Sequence, residues 1–201
     1  MGVSALPFQE DRLASQQTVQ QGQESPGAAA IADSLAAIGL ADSSRVADRL
    51  WAFHSLLRDA DQELNLTRLR SFAAIVEKHY VDSLLPLVLA PFTGRVMDLG
   101  SGGGFPGIPL ALARPDLRFV LVEGRRRRTA FLQAAVDELG ATNVEVVSRK
   151  LNPFDEVPVD TVVVRAVARA EDLLNRVARS LRVGGLAILM KGPDCDDEIV
   201  A

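Results

Sequence analysis

The chain has 201 residues, 48% of them hydrophobic, and a formal net charge of −4, which suits one domain with a sizeable core and excludes a protein that coats nucleic acid by bulk positive charge. The single cysteine, Cys195, excludes an internal disulfide, and no apolar run approaches the roughly 18 residues a membrane span needs. With no secretory pattern in Met1 to Glu10 and no myristoylation signal, a soluble cytoplasmic protein is expected.

Residues 1 to about 27, rich in Gln, Ser and Glu, carry little apolar periodicity and read as a disordered tail. An Ala-rich helix is expected over Ala28–Leu40, with Gly39 ending it. A firmer helix follows, capped by Asp42 or Ser43, with Val46, Leu50, Phe53, Leu57 and Leu64 in one apolar stripe. Ser71 caps a third helix, from Phe72 to about Leu85, that Pro86 stops. From Arg95 short apolar runs alternate with helical stretches, the pattern of βαβ units and a doubly wound parallel sheet. Strands are expected at Arg95–Leu99, Arg118–Glu123, Val144–Val147, Asp160–Arg165 and Leu186–Lys191, with helices over Pro109–Ala113, Arg126–Leu139 and Glu171–Leu181.

The first of these strands runs into Asp98-Leu99-Gly100-Ser101-Gly102-Gly103-Gly104-Phe105-Pro106-Gly107. Glycines in such a turn let the backbone approach a ligand closely, and the carboxyl edge of a parallel sheet is where these folds hold ligands. A dinucleotide turn in the natural register requires glycine where Phe105 stands, although the shifted set Gly102, Gly104, Gly107 matches. Asp98 tips the balance: a carboxylate at the mouth of the turn repels pyrophosphate but suits the cationic aminoacid end of S-adenosylmethionine, directly or through the loop geometry it fixes. Glu123, at the end of the next strand, can accept hydrogen bonds from ribose hydroxyls in either cofactor.

Several segments together resemble the bacterial glucose-inhibited division protein B family: Asn65-Leu66-Thr67, Glu77 to Ser83, Asp98 to Pro109, Arg165-Ala166-Val167-Ala168 and Lys191-Gly192. The resemblance covers about Ala28 to Ala201. It implies a class I S-adenosylmethionine-dependent methyltransferase (Rossmann-like α/β) with an N-terminal helical extension: a tail over 1–27, the extension over 28–90, and a methyltransferase domain over 91–201 that lacks the usual C-terminal strands. It further implies methyl transfer from S-adenosyl-L-methionine to N7 of a guanine in 16S ribosomal RNA, free or in the small ribosomal subunit. Cofactor contacts are implied at Gly100, Phe105, Lys150, Leu151 and Arg165, beside Asp98, Gly102 and Glu123. Lys150-Leu151 stands where the family usually has a small residue and then Glu, so any adenine contact there is through backbone or packing.

Guanine N7 has an in-plane lone pair and no proton at neutral pH, so attack on a sulfonium methyl needs no general base. The lack of a convincing triad or metal cluster accords with this; positioning candidates are Asn65, His79, Arg165 and Lys191. His79 and Asp82, three apart on a helix, are expected to meet and to pin that helix against the glycine turn. Arg125, Arg126, Arg127 and Arg128 begin a helix, where the macrodipole disfavours cations; RNA phosphate binding is weighed there against a solvated face, with Arg68, Arg70 and Lys78 extending the patch. Lys191 ends the last strand on the same edge, able to hold phosphate or guanine O6. Trp51 is expected to pack within its helix layer. Two rivals use the same glycine turn: an NAD-dependent oxidoreductase of small molecules and a noncatalytic ribosome-binding module.

Overall fold

The computed structural model describes residues 26–150, 157–165 and 168–192. Most of the expected N-terminal tail, Leu151, the Ala166–Val167 pair and Cys195 lie outside the described residues. Helices α1 (Pro26–Ala37), α2 (Ser43–Leu64) and α3 (Phe72–Ile75), a π-helical segment (Val76–Val81) and α4 (Asp82–Leu89) precede the sheet. Strands β1 (Arg95–Leu99), β2 (Arg118–Glu123), β3 (Val144–Ser148), β4 (Val159–Arg165) and β5 (Leu181–Met190) alternate with α5 (Gly107–Ala113), α6 (Arg126–Glu138) and α7 (Ala170–Val177). The sheet order is β3-β2-β1-β4-β5, every neighbouring pair parallel.

Period-two alternation sends the apolar strand residues to two cores. Val96, Phe119, Leu121 and Val163 face α2, α5 and α6, where they join Phe53, Leu57, Ile108 and Leu132. Met97, Leu99, Val120, Val122, Val162 and Val164 face the other way, onto Leu173 and Val177 of α7. The N-terminal helices are continuous with the first core: Ile31, Leu35, Leu50 and Tyr80 are fully buried in it. Trp51 stacks on His54 at 5.5 Å and meets Phe72 edge-on, a packing position.

Four expectations are corrected. Asp42 precedes α2 in the left-handed region (φ 53) rather than the extended conformation of a side-chain cap, and makes no side-chain cap bond; its carbonyl still accepts from Val46. Pro86 does not stop the third helix but lies buried inside α4, where its fixed φ suits a helix and burial offsets the missing amide hydrogen bond. The helix read through Leu181 ends at Val177, and β5 begins at Leu181. The last strand, expected from Leu186, also takes in Gly184-Gly185, where the pairing with β4 shifts register between Val159 and Thr161 and Gly184 takes φ 80. Ser71 caps as expected, its hydroxyl accepting from Ala74 N at 3.3 Å.

Candidate cofactor and substrate site

The glycine turn leaves the carboxyl end of central strand β1, the topological switch point of this sheet order. Gly100, Gly102 and Gly104 all take positive φ (81, 58 and 95), and a Cβ at Gly100 would meet nothing within 4 Å. Two carboxylates tie the turn down. Asp98 lies not at the mouth but wholly buried behind it, where its Oδ2 accepts from Gly107 N at 2.9 Å. Its Oδ1 is buried without a partner. Burial pushes the Asp98 carboxyl up to about 6, while Ser101, Gly107 and Arg165 pull the other way. Glu123, at the end of β2, accepts from Gly102 N at 3.0 Å and Arg125 N at 2.8 Å, so the turn and the start of α6 are tied to one acid.

A second cluster closes the crevice from the helical layer. The His79 ring stacks on Phe105 of the turn, centroids 4.2 Å apart at 20°. The Arg165 guanidinium, at the end of β4, lies 5.2 Å from the Phe105 ring centroid. Both meet one acceptor: His79 Nδ1 and Arg165 Nη1 each lie 3.1 Å from the Lys78 carbonyl oxygen, inside the π-helical segment. π-Helical turns recur at functional sites, and this one presents a backbone oxygen to the crevice. Burial and the Arg165 charge push His79 down to about 4, and burial lowers Arg165 against the attraction of Asp98 and Asp82. His79 therefore pins its helix to the glycine turn by ring stacking rather than through the expected Asp82 partner.

The remaining candidates are less gathered. Asn65 is exposed at the C-terminus of α2 in the left-handed region (φ 48), and the next residue, Leu66, packs beside Gly103. Arg125 precedes α6, Arg126 is exposed, Arg127 donates to Glu63 of α2, and the Arg128 guanidinium lies beside Gly102. The four line one open depression with Leu64. Arg70, read as an extension of that patch, lies 3.3 Å from Asp61. Lys150 is exposed, its stem lying over Gly124. Lys191 follows Met190, which pairs with Arg165, and donates to the Ala168 carbonyl at 2.6 Å. Two residues that sequence reasoning did not single out stand behind His79: Thr67, whose Oγ1 lies 2.7 Å from His79 Nε2, and Asp61, which accepts from Thr67 N at 2.8 Å.

A parallel sheet of this order, with a glycine turn leaving its central strand, defines a Rossmann-like fold of the methyltransferase type. Among solved structures, it is similar to a mutant of MtNAS in complex with S-adenosylmethionine (16% identity, TM-score 0.50, 94% of this chain and 88% of that one). It is also similar to a methyltransferase from Geobacter sulfurreducens (17% identity, TM-score 0.50, 92% and 80%). The chain belongs to the family described as GidB, rRNA small subunit methyltransferase G, which matches residues 47–201. A ribosomal RNA small subunit methyltransferase G 2 of Syntrophobacter fumaroxidans is 50% identical over 151 residues, 75% of this chain but 30% of that protein. The methyltransferase G of Neisseria meningitidis serogroup A is 41% identical over 79% of this chain and 76% of its own length, and that of Azoarcus is 37% identical over 88% and 84%. No helix among the described residues is long and apolar enough to cross a membrane.

Proposed function

We propose that this chain binds S-adenosyl-L-methionine in the glycine turn and methylates N7 of a guanine in 16S ribosomal RNA, presented free or in the small ribosomal subunit, in the cytoplasm. The observation that carries the cofactor is the glycine turn, held between Asp98 and Glu123 and with open space beside Gly100 and Gly102, while Gly103 and Gly104 pack against Leu66, Ile108 and Phe53. The residues fit a nucleoside sulfonium. Each Glu123 oxygen that accepts a backbone bond retains an acceptor site for a ribose hydroxyl, and the buried negative charge of Asp98 favours a cation near the turn. Gly100, Gly102 and Phe105 would contact the cofactor, with Lys150, Leu151 and Arg165 as further contacts.

When bound, S-adenosyl-L-methionine supplies an electrophilic methyl that guanine N7 can accept through its in-plane lone pair without giving up a proton. The chain's own residues then have to position and desolvate rather than move protons. Phe105, buried under His79 and Arg165, makes the wall beside the turn apolar, and Arg165 and Lys191 set positive charge at the same sheet edge, suited to a guanine carbonyl or a phosphate. Arg125 to Arg128 would hold RNA phosphates. The helical extension over 28–90 and the methyltransferase domain over 91–201 belong to the same proposal.

The family favours methyl transfer over the NAD-dependent oxidation and the noncatalytic ribosome-binding role that the glycine turn alone leaves open. Calorimetric titration with S-adenosylhomocysteine and with NADH, followed by methylation of unmodified ribosomal RNA and mass analysis of the modified base, tests the reading. Binding of S-adenosylhomocysteine with N7-methylguanine as product is expected. Preference for NADH, or a methyl on another atom, overturns it.

A further inference from the structure

Asp61 sits where an acid is disfavoured. It lies in the last turn of α2, where the unsatisfied carbonyls carry partial negative charge, and its side chain is only 2% exposed. Its oxygens are all the same occupied: Oδ1 accepts from Thr67 N at 2.8 Å, and Oδ2 lies 3.3 Å from Arg70 and 3.7 Å from Arg58. A buried acid held this way shapes the turn that follows it, Asn65 to Thr67, which brings Leu66 against Gly103.

The protons on this network can be assigned. The Lys78 carbonyl can only accept, so His79 Nδ1, 3.1 Å away, carries the hydrogen and donates. In the uncharged imidazole Nε2 is then the acceptor. Thr67 Oγ1, which accepts from Leu69 N at 3.1 Å, therefore donates its own proton to Nε2 at 2.7 Å. The second nitrogen's partner sets a histidine's tautomer and its ring plane, and here that plane stacks on Phe105.

We infer that Thr67, held by Asp61, is a positioning residue for methyl transfer: by donating to Nε2 its hydroxyl works with the Lys78 carbonyl to keep His79 in the Nδ1–H form, so that the ring seats Phe105 and the shared Lys78 carbonyl orients Arg165. The chain runs from α2 through a buried hydrogen bond to the turn expected to bind the cofactor, and it uses two residues that never reach the crevice themselves. The inference rests on the methyltransferase reading of the same site. The depressed value of His79, about 4, agrees with an imidazole that stays uncharged at neutral pH.

The test compares wild type, Thr67→Val and Thr67→Ser in full-length protein. The readouts are imidazole nitrogen shifts by nuclear magnetic resonance, S-adenosylhomocysteine affinity by calorimetry, and kcat and KM for methylation of unmodified ribosomal RNA. With two histidines in the chain, the His79 signal is assigned by its loss in His79→Gln. Thr67→Val is expected to move His79 away from the Nδ1–H signature and to lower kcat about tenfold with KM little changed, the size of one lost hydrogen bond. Thr67→Ser, which keeps the hydroxyl, should restore both signature and rate. If Thr67→Val does not fold, Thr67→Ala removes the same hydroxyl without placing a methyl against Nε2. An unchanged His79 signature, or a wild-type kcat without the hydroxyl, overturns the positioning role. A wild-type protein that binds no S-adenosylhomocysteine and transfers no methyl overturns the function on which it rests.

Discussion

Gly107 has no room for a side chain. A Cβ there would lie 2.2 Å from Leu121 Cδ2 and 2.5 Å from Asp98 Oδ2, so Gly107→Ala must move the acid that anchors the turn. A loss of about 1–3 kcal/mol of stability is expected, read as a lower melting temperature. Gly102 is different: its Cβ would meet the Arg128 guanidinium at 3.6 Å and little else, although φ 58 is strained for a branched residue. Gly102→Val should therefore fold while losing cofactor affinity, because the added side chain would fill ligand space. Calorimetry on the folded variant decides this, and unchanged affinity removes the turn from the site. The glycines, Asp98 and Glu123 were legible in the sequence because their spacing from the strand ends dictates where they sit. Asp98 was read at the mouth of the turn because a strand-end acid is ordinarily wet. Asp61 and Thr67 were not legible as partners of His79, since nothing local says that an acid in the last turn of a helix is buried.

At the scale of elements, the strands were readable because their apolar alternation reports burial directly, and β1 and β2 fall at their expected bounds. The β5 start was not, since Gly184-Gly185 carries a turn signal that pairing with β4 overrides. The π-helical segment has no sequence signature of its own: Val76 to Val81 reads as ordinary helix. α6 makes a prediction at this scale. Arg126 and Arg127 stand in its first turn, where partial positive charge already resides, and the Arg127–Glu63 pair is exposed on both sides and contributes little. Replacing both with Gln should leave S-adenosylhomocysteine affinity intact, lower RNA affinity, and reduce the magnitude of the log-log salt slope by about 0.7–0.9 per lost phosphate contact. Removing two cations from the helix N-terminus should not lower the melting temperature. RNA binding at several salt concentrations reads the outcome, and an unchanged slope assigns the run to a solvated face.

For the whole molecule, two groups beside the glycine turn, the buried Asp98 and the half-buried His79, pull stability in opposite directions over one pH range. Asp98 rises from 3.8 to about 6, so the folded state holds its proton more tightly than the unfolded chain; its contribution is complete below the unfolded value and is lost as pH rises through about 6. At ~1.4 kcal/mol per pKa unit, that swing is about 3 kcal/mol. His79 falls from 6.5 to about 4, so the unfolded chain binds the proton more tightly; here stability is complete above the unfolded value and lost as pH falls through about 4. His54, lowered by burial and by Arg58, acts in the same sense as His79. Between about pH 4 and 6 the two trends oppose each other, and each single variant should expose the one it leaves behind. Asp98→Asn should show a melting temperature that declines more steeply than wild type as pH drops across this window. His79→Gln should show the reverse tilt, gaining relative to wild type toward the acid end. Thermal melts of the three proteins at constant ionic strength provide the measurement. Profiles that stay parallel across the window would mean that neither group changes its proton affinity on folding, and the buried, uncompensated Asp98 oxygen would then need another account.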